Sequence, residues 1–358
     1  MLLFLGAGAS KSFGIPDTKG FINEFENVIG SNKIYTSLKE TIPQEQLDME
    51  TLMTVMHDLS KPKEELLNSI APHTTRFLFS QGSQASYFME NRDVKMACHD
   101  MLIDTKRIIR EKCLTQVKEY RNDILQSYDK FFNALKINKA LTGGTANNKT
   151  YPQLRIFTTN YDTCIETYFN TQQMELCDGS IPRFGELIFD VDTFTNSHDL
   201  ELIKLHGSIN LFVKDRKIRV LHAAGAVDTS TKTDLGEEYG DEFIIYPVES
   251  NTSTEMFQSP LIELLQVFRN RLDMDKTWII IGSTFRDSTL ASIMNDVIIN
   301  TEQKNYPKVL HINPQAAQIN EYLSSKGYKS LANVVQPLEY DFCGKGLVEE
   351  LNEINLQY

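Results

Sequence analysis

Apolar positions along this chain follow two alternating rhythms. Short β-branched or apolar runs read as strands: LLFL near the start, LRIFTT (154–159), LIKL (202–205), TWIIIG (277–282) and KVLHIN (308–313). INLFV and KIRVLH, on either side of KDR, read as the arms of a hairpin. Between these runs the apolar spacing becomes helical. Phe21, Phe25 and Val28 share a helix face that Asp17 is placed to cap. From about 46 to 138 the signal is helical throughout, with Leu52, Val55, Met56 and Leu59 on one face and Ile108, Ile109, Cys113 and Val117 on another. This stretch reads as a helical module inserted into a frame formed by 1–45 and 139–358, closed by the polar connection LTGGTANNKTYP (141–152). Strands that alternate with helices predict an α/β fold, a mostly parallel sheet with helices on both faces.

The punctuation after the strands adds chemistry. Gly6 to Ser10, Asn160, His206, Gly282-Ser283 and Asn313 each fall just beyond a predicted strand. Ligands of open α/β sheets bind outside the carboxyl ends of the strands, so these stops are expected to converge on one crevice. A glycine turn between strand and helix brings backbone N–H groups close to an anion, typically a pyrophosphate. Lys11 stands where a dinucleotide fingerprint would carry its third glycine, so an ordinary strand–helix turn explains Gly6 and Gly8 equally well.

Charge and cysteine usage narrow the classes. The 358 residues carry 36 Lys and Arg against 48 Asp and Glu, a net charge of −12, which argues against non-specific binding to nucleic acid or anionic membrane. Cys98, Cys113, Cys164, Cys177 and Cys343 are odd in number, with no pair at ligand spacing. Neither a disulfide framework nor a zinc ribbon is expected, and the cytoplasm is the expected compartment. The histidines show no H-x-x-x-H spacing, so no metal is expected. No apolar run reaches the length of a membrane span, and LLFL, without a basic segment before it, reads as a strand rather than a targeting signal. Cys164, Met49, Met53, Met56 and Met101 read as core.

Taken together, GAGAS (6–10), GIPD (14–17), TTNYD (158–162), KLHGS (204–208), IIGST (280–284) and HIN (311–313) resemble, in order, the motifs of the sirtuin-like superfamily. The resemblance implies a Rossmann-like NAD-binding domain. It gives Gly6, Ala7, Gly8, Ala9 and Ser10 to the pyrophosphate of NAD, with Gly14, Pro16 and Asp17 of the second motif also among the NAD-binding residues. Gly282, Ser283 and Asn313 go to the adenosine half, Asn160 to the nicotinamide ribose and His206 to catalysis. Asp162 joins the NAD-binding set, although by position alone it is a cap for a helix starting at Thr163. The chemistry suits these residue types. Breaking the nicotinamide bond expels a neutral base and leaves an oxocarbenium-like ribosyl cation. An amide that fixes the ribose hydroxyls and a neutral imidazole that takes a proton both assist.

Two departures refine the resemblance. Protein-deacylating sirtuins carry a four-cysteine zinc module, for which this chain has no cysteine pair, and follow GIPD with Phe-Arg, where Thr18-Lys19 stand here. Both features look like the zinc-free branch that hydrolyses NAD in bacterial anti-phage defence by abortive infection. The expected activity is therefore that of an NAD glycohydrolase, releasing nicotinamide and ADP-ribose. The short stretch after Asn313 implies a separate sensor partner, by analogy a HerA-like ATPase. Self-association through the helical module is also expected. A module that senses NAD or ADP-ribose without turnover, and an NAD-dependent ADP-ribosyltransferase or deacylase, are the alternatives.

Overall fold

A computed structural model describes residues 1–44, 47–68, 70–135, 153–196, 198–215, 217–221, 241–244, 260–344 and 346–354. The chain forms two compact units. The first comprises Met1–Ile15, Cys113–Phe243 and Pro260–Tyr358, and the second Pro16–Lys112 with Ile244–Ser259. The sequence reading divides the chain near 46 and 138, whereas these units divide after 15 and after 112. The connection at 141–152 lies outside the described residues.

The first unit is built on a six-stranded sheet of β1 (Leu2–Leu5), β2 (Leu154–Thr158), β5 (Leu200–Lys204), β9 (Thr277–Ile281), β10 (Lys308–Ile312) and β11 (Val335–Leu338). Its spatial order is β11-β10-β9-β1-β2-β5, and every neighbouring pair is parallel. Counted among themselves in chain order, these strands read 6-5-4-1-2-3, the doubly wound Rossmann-like order that changes direction beside β1. All residues of β1, β2 and β9 are buried, so both faces of the sheet centre are covered. This accounts for their mainly apolar runs, in which Arg155 is the one charged residue. One face packs Phe4, Phe157, Trp278 and Ile280 against Leu264 and Phe268 of helix Leu261–Met274 and Met294 and Val297 of helix Ser288–Asn300. Pro337 weakens the strand pattern of β11, which follows Asn313. As an edge strand it tolerates the missing N–H.

Charged groups hold the amino half of this sheet. Arg155, paired in register with Glu201, donates to both oxygens of Asp275 at 2.8 and 2.9 Å, and Arg271 grips Glu201 at 2.8 and 3.0 Å. All four residues are buried, and each charge has its partner.

A second sheet has the order β3-β4-β7-β6-β8, formed by β3 (Ser180–Arg183), β4 (Glu186–Phe189), β6 (Gly207–Lys214), β7 (Lys217–Val220) and β8 (Asp241–Ile244). The hairpin foreseen around KDR is β6–β7, closing with Lys214 opposite Lys217. The β3–β4 hairpin was not foreseen. Its two-residue turn, Phe184-Gly185, has positive φ at both positions (52° and 86°), as the twist of a tight hairpin requires. Phe184 gives no Asn-Gly type of signal for such a turn.

The second unit is helical among its described residues up to Lys112, from Phe21–Ile29 through to Arg92–Glu119, a helix that crosses the unit boundary. Leu52, Met53, Val55, Met56 and Leu59 of helix Met49–Ser60 are fully buried, and Asp48 caps that helix by accepting from the amide of Thr51. Two local expectations need correction. Helix Phe21–Ile29 buries Phe21, Ile22, Phe25 and Ile29, while Val28 is half exposed; 100° per residue carries Val28 off the buried stripe that Ile29 continues. Asp17 does not cap this helix, whose N-cap is Gly20. Its carboxylate accepts from the Gly20 amide in the turn before it.

Candidate active site at the carboxyl edge of the parallel sheet

Each expected stop lies just past the carboxyl end of a strand in the parallel sheet, and the strand order sets their sequence in space. Leu5 is in register with Thr158 on one side and Ile281 on the other; Thr158 pairs with Lys204, and Ile281 with Ile312. Across the edge the order is therefore Asn313, Gly282, Gly6, Asn160, His206. Asn160 and His206 each stand two residues beyond an in-register pair, Thr158 and Lys204. The register continues past the strands, since the amide of Leu205 donates to Thr158 O at 2.9 Å. These two side chains therefore occupy matching positions at the ends of adjacent strands.

The glycines act mainly through close approach. A Cβ on Gly6 would lie 2.7 Å from Ser283 Cα, and one on Gly8 2.7 Å from Gly282 Cα. The amides of Gly6 and Gly8 donate to Ile281 O and Gly282 O at 2.8 and 3.0 Å, and those of Ala9 and Ser10 to Gly6 O and Ala7 O. The first two bonds join the end of β1 to that of β9, and the other two stay within the turn. The helix that follows, Gly8–Lys11, is a single turn. Gly282 has φ +65°, and a Cβ there would meet Ala9 N at 2.3 Å and Gly8 C at 2.5 Å, both backbone atoms that cannot swing away. Gly282→Ala is expected to cost about 2 kcal/mol or more, combining left-handed strain with displacement of the turn. Gly14→Ala also pays for a positive φ, but its new methyl meets side chains rather than backbone, the flexible end of Gln116 at 2.2 Å and the Tyr120 ring at 3.1 Å. It should cost about 1–2 kcal/mol. Chemical denaturation of both variants checks the ranking, and equal losses would deny the close approach its role.

Asn160, a polar residue just past a strand end, is buried. Its Nδ2 donates to Gly6 O and Ser10 Oγ, both at 3.0 Å, tying β2 to the glycine turn. Its amide N–H donates to Thr158 Oγ1, and Oδ1 is buried without a hydrogen-bond partner. His206 is similarly half used. Nε2 lies 2.9 Å from Asp287 Oδ2, and Nδ1 is buried without a partner. Gly207 follows because its φ is +77° and the carbonyl of Phe243 lies where a Cβ would go.

The remaining expected residues serve the frame. Ser283 O accepts from His311 Nε2 at 2.9 Å and from Asn313 Nδ2 at 3.3 Å; Ser283 Oγ accepts from the Phe285 amide, and Asn313 Oδ1 from that of Gln315. Both side chains shape the edge. Asp162 Oδ1 accepts from the Cys164 amide at the start of helix Cys164–Thr171, one residue later than the sequence suggested. Beneath it, Lys204 forms a buried ion pair with Glu166 at 2.8 Å and donates to Asp162 O and Ser208 Oγ. Burial pushes the Glu166 carboxyl upward against the pull of Lys204. Gly14 lies in the first unit, whereas Pro16 and Asp17 belong to the second.

Burial opposes ionisation of Asp287, but the hydrogen bonds from His206 and from the amides of Leu290 and Thr289 help hold the carboxyl below its usual range. Burial also keeps the His311 imidazole neutral, down to about 4. Among the described residues, no group of three or more His, Cys, Asp or Glu side chains is placed to hold a metal ion. Nor, among them, is any helix long and apolar enough to cross a membrane.

The fold and edge define an α/β protein of the doubly wound class, with a polar site where the strand order reverses. Residues 154–331 match the SIR2-like domain family. This span contains Asn160, His206, Gly282 and Asn313, though not the first glycine turn. The match supports a sirtuin-like family for this chain, and SIR2-like domains use NAD, so NAD-related activity is compatible with it. No curated protein matches the sequence.

Proposed function

We propose that this protein is an NAD glycohydrolase of the zinc-free sirtuin-like branch, and that it depletes NAD during bacterial anti-phage defence. The observation that carries the proposal is the matched pair Asn160 and His206, each with one buried polar atom unpartnered, Oδ1 and Nδ1. Buried groups in native proteins are nearly always satisfied, and two orphans at matching positions on adjacent strand ends fit acceptors awaiting a ligand. NAD offers ribose hydroxyls as donors to both.

In the proposed reaction the C1′–N bond breaks with its electron pair moving to the nicotinamide nitrogen, so the base leaves neutral. Water adds to C1′ through oxygen, and its proton passes to His206 and then to solvent. The products are nicotinamide and ADP-ribose. Asn160 orders the ribose and the water, and the Gly6–Gly282 junction of strand ends accommodates the pyrophosphate. Gly6, Ala7, Gly8, Ala9, Ser10, Gly14, Asp162, Gly282, Ser283 and Asn313 complete the proposed binding set.

Incubating purified protein with NAD should release nicotinamide and ADP-ribose in equal amounts. An added acyl-lysine peptide should remain acylated and leave the rate unchanged. Binding without turnover would indicate a sensor instead, and deacylation would indicate a protein-modifying enzyme.

Activity and fold should survive exhaustive chelation, because no metal is required. Stoichiometric zinc in the purified protein, or unfolding on chelation, would contradict this. We also assign self-association to the helical second unit, whose Leu67, Phe79, Tyr87 and Met96 are exposed. A single-chain mass at micromolar concentration, with and without NAD, would exclude it. The proposed cytoplasmic setting and a separate ATPase sensor would be tested by co-purification from infected cells.

A further inference from the structure

His206 is anchored through one ring nitrogen. Its Nε2 meets Asp287 Oδ2 at 2.9 Å across 81 residues of chain, while Nδ1 is buried and unpartnered. Asp287 is itself fixed. It is the N-cap of helix Ser288–Asn300, and its Oδ1 accepts from the amides of Thr289 and Leu290 at 2.9 and 3.0 Å. An ionised carboxylate only accepts hydrogen bonds, so the ring nitrogen facing it must carry the proton.

We propose that Asp287 is the positioning residue of this site, holding His206 in the tautomer protonated on Nε2 and leaving Nδ1 as the nitrogen that takes the proton. For its reaction this rests on the NAD-hydrolase reading; for the tautomer it rests on geometry alone. When water adds to C1′ and its proton passes to Nδ1, the ring becomes an imidazolium with both nitrogens protonated. Asp287 balances that charge and takes no proton itself. The depressed carboxyl of Asp287 agrees with its remaining ionised throughout.

Asparagine caps helices as well as aspartate does, so Asp287→Asn preserves the helix start. Its amide can turn an N–H towards Nε2, which makes that nitrogen the acceptor and moves the ring proton to Nδ1. Nitrogen-15 NMR of histidine-labelled protein distinguishes the two tautomers without any substrate. The parent should show His206 protonated on Nε2, and Asp287→Asn should lose that form. With NAD, kcat should fall by roughly ten- to a hundredfold, the scale of a misplaced proton acceptor, while KM stays within about threefold.

Protonation of His206 on Nδ1 in the parent would overturn the proposal, as would an Asp287→Asn variant with unchanged tautomer and kcat. Should the parent leave NAD intact, the hydrolase reading fails, and the tautomer still decides this inference. Protonation on Nε2 that is lost in Asp287→Asn upholds it, and protonation on Nδ1 overturns it.

Discussion

His206→Ala is expected to lower NAD turnover by roughly a hundredfold or more, the usual worth of a positioned acid–base group. Affinity for NAD should fall far less, because the phosphate and adenosine contacts are proposed around Gly6 and Gly282, other strand ends along the edge. The variant loses one hydrogen bond, to Asp287, whose other oxygen keeps its two amide donors. Loss of that bond to an ionised carboxylate costs about 1.5–3 kcal/mol of stability, within what a fold of this size withstands, so the variant should fold. NAD should still raise its melting temperature, to the extent that mass action allows. Steady-state kinetics with a parallel thermal-shift titration check both halves. A variant that hydrolyses NAD at the parent rate would remove His206 from the mechanism.

The second large effect concerns acid. His311 has no exposed surface, donates from Nε2 to Ser283 O and meets Phe285 edge-on. Burial lowers its ionisation from 6.5 to about 4. Between those values the unfolded chain binds a proton at this position and the folded chain does not, so acidification favours unfolding. At about 1.4 kcal/mol per pH unit, roughly 3 kcal/mol of stability is lost as pH falls through this window, and none of that loss occurs above it. Asp287 acts in the same direction at lower pH, because its depressed carboxyl stabilises the fold until it is protonated. His311→Gln retains an N–H donor without this ionisation. Urea unfolding from pH 7 to 4 should therefore show a shallower loss for the variant than for the parent, by about 3 kcal/mol over the window. Equal slopes would mean that His311 takes its proton in the fold at the ordinary pH. The site is involved as well, since His311 and Asn313 together hold the Ser283 carbonyl beside Gly282.

How much of this was legible in sequence depended on distance along the chain. β1, β2, β5, β9 and β10 were readable because burial on both faces leaves mainly apolar runs, and their polar stops were readable because each follows directly. The edge strand with Pro337 and the hairpin turned by Phe184-Gly185 lack those signals. Asp287 precedes Ser288-Thr289 and reads locally as a helix cap, which it is. Its bond to His206 joins residues that no local pattern connects. The burial of Asn160 was hidden for the same reason, since its partners Gly6 and Ser10 come from the other end of the unit's sequence. A strand-end glycine can serve a phosphate or a neighbouring strand. The strand use here rests on the bonds from Gly6 and Gly8 to Ile281 and Gly282, which no local pattern announces.

The central claim is that NAD is bound and cleaved along the carboxyl edge, with Asn160 and His206 at its ribose. A crystal structure of His206→Ala with NAD tests it most directly, because the variant should bind intact substrate. The account predicts the pyrophosphate over the Gly6–Gly282 junction and the nicotinamide ribose at Asn160, within hydrogen-bond reach of Oδ1. NAD lying elsewhere on the protein, or with its nicotinamide ribose away from Asn160 and position 206, would contradict it.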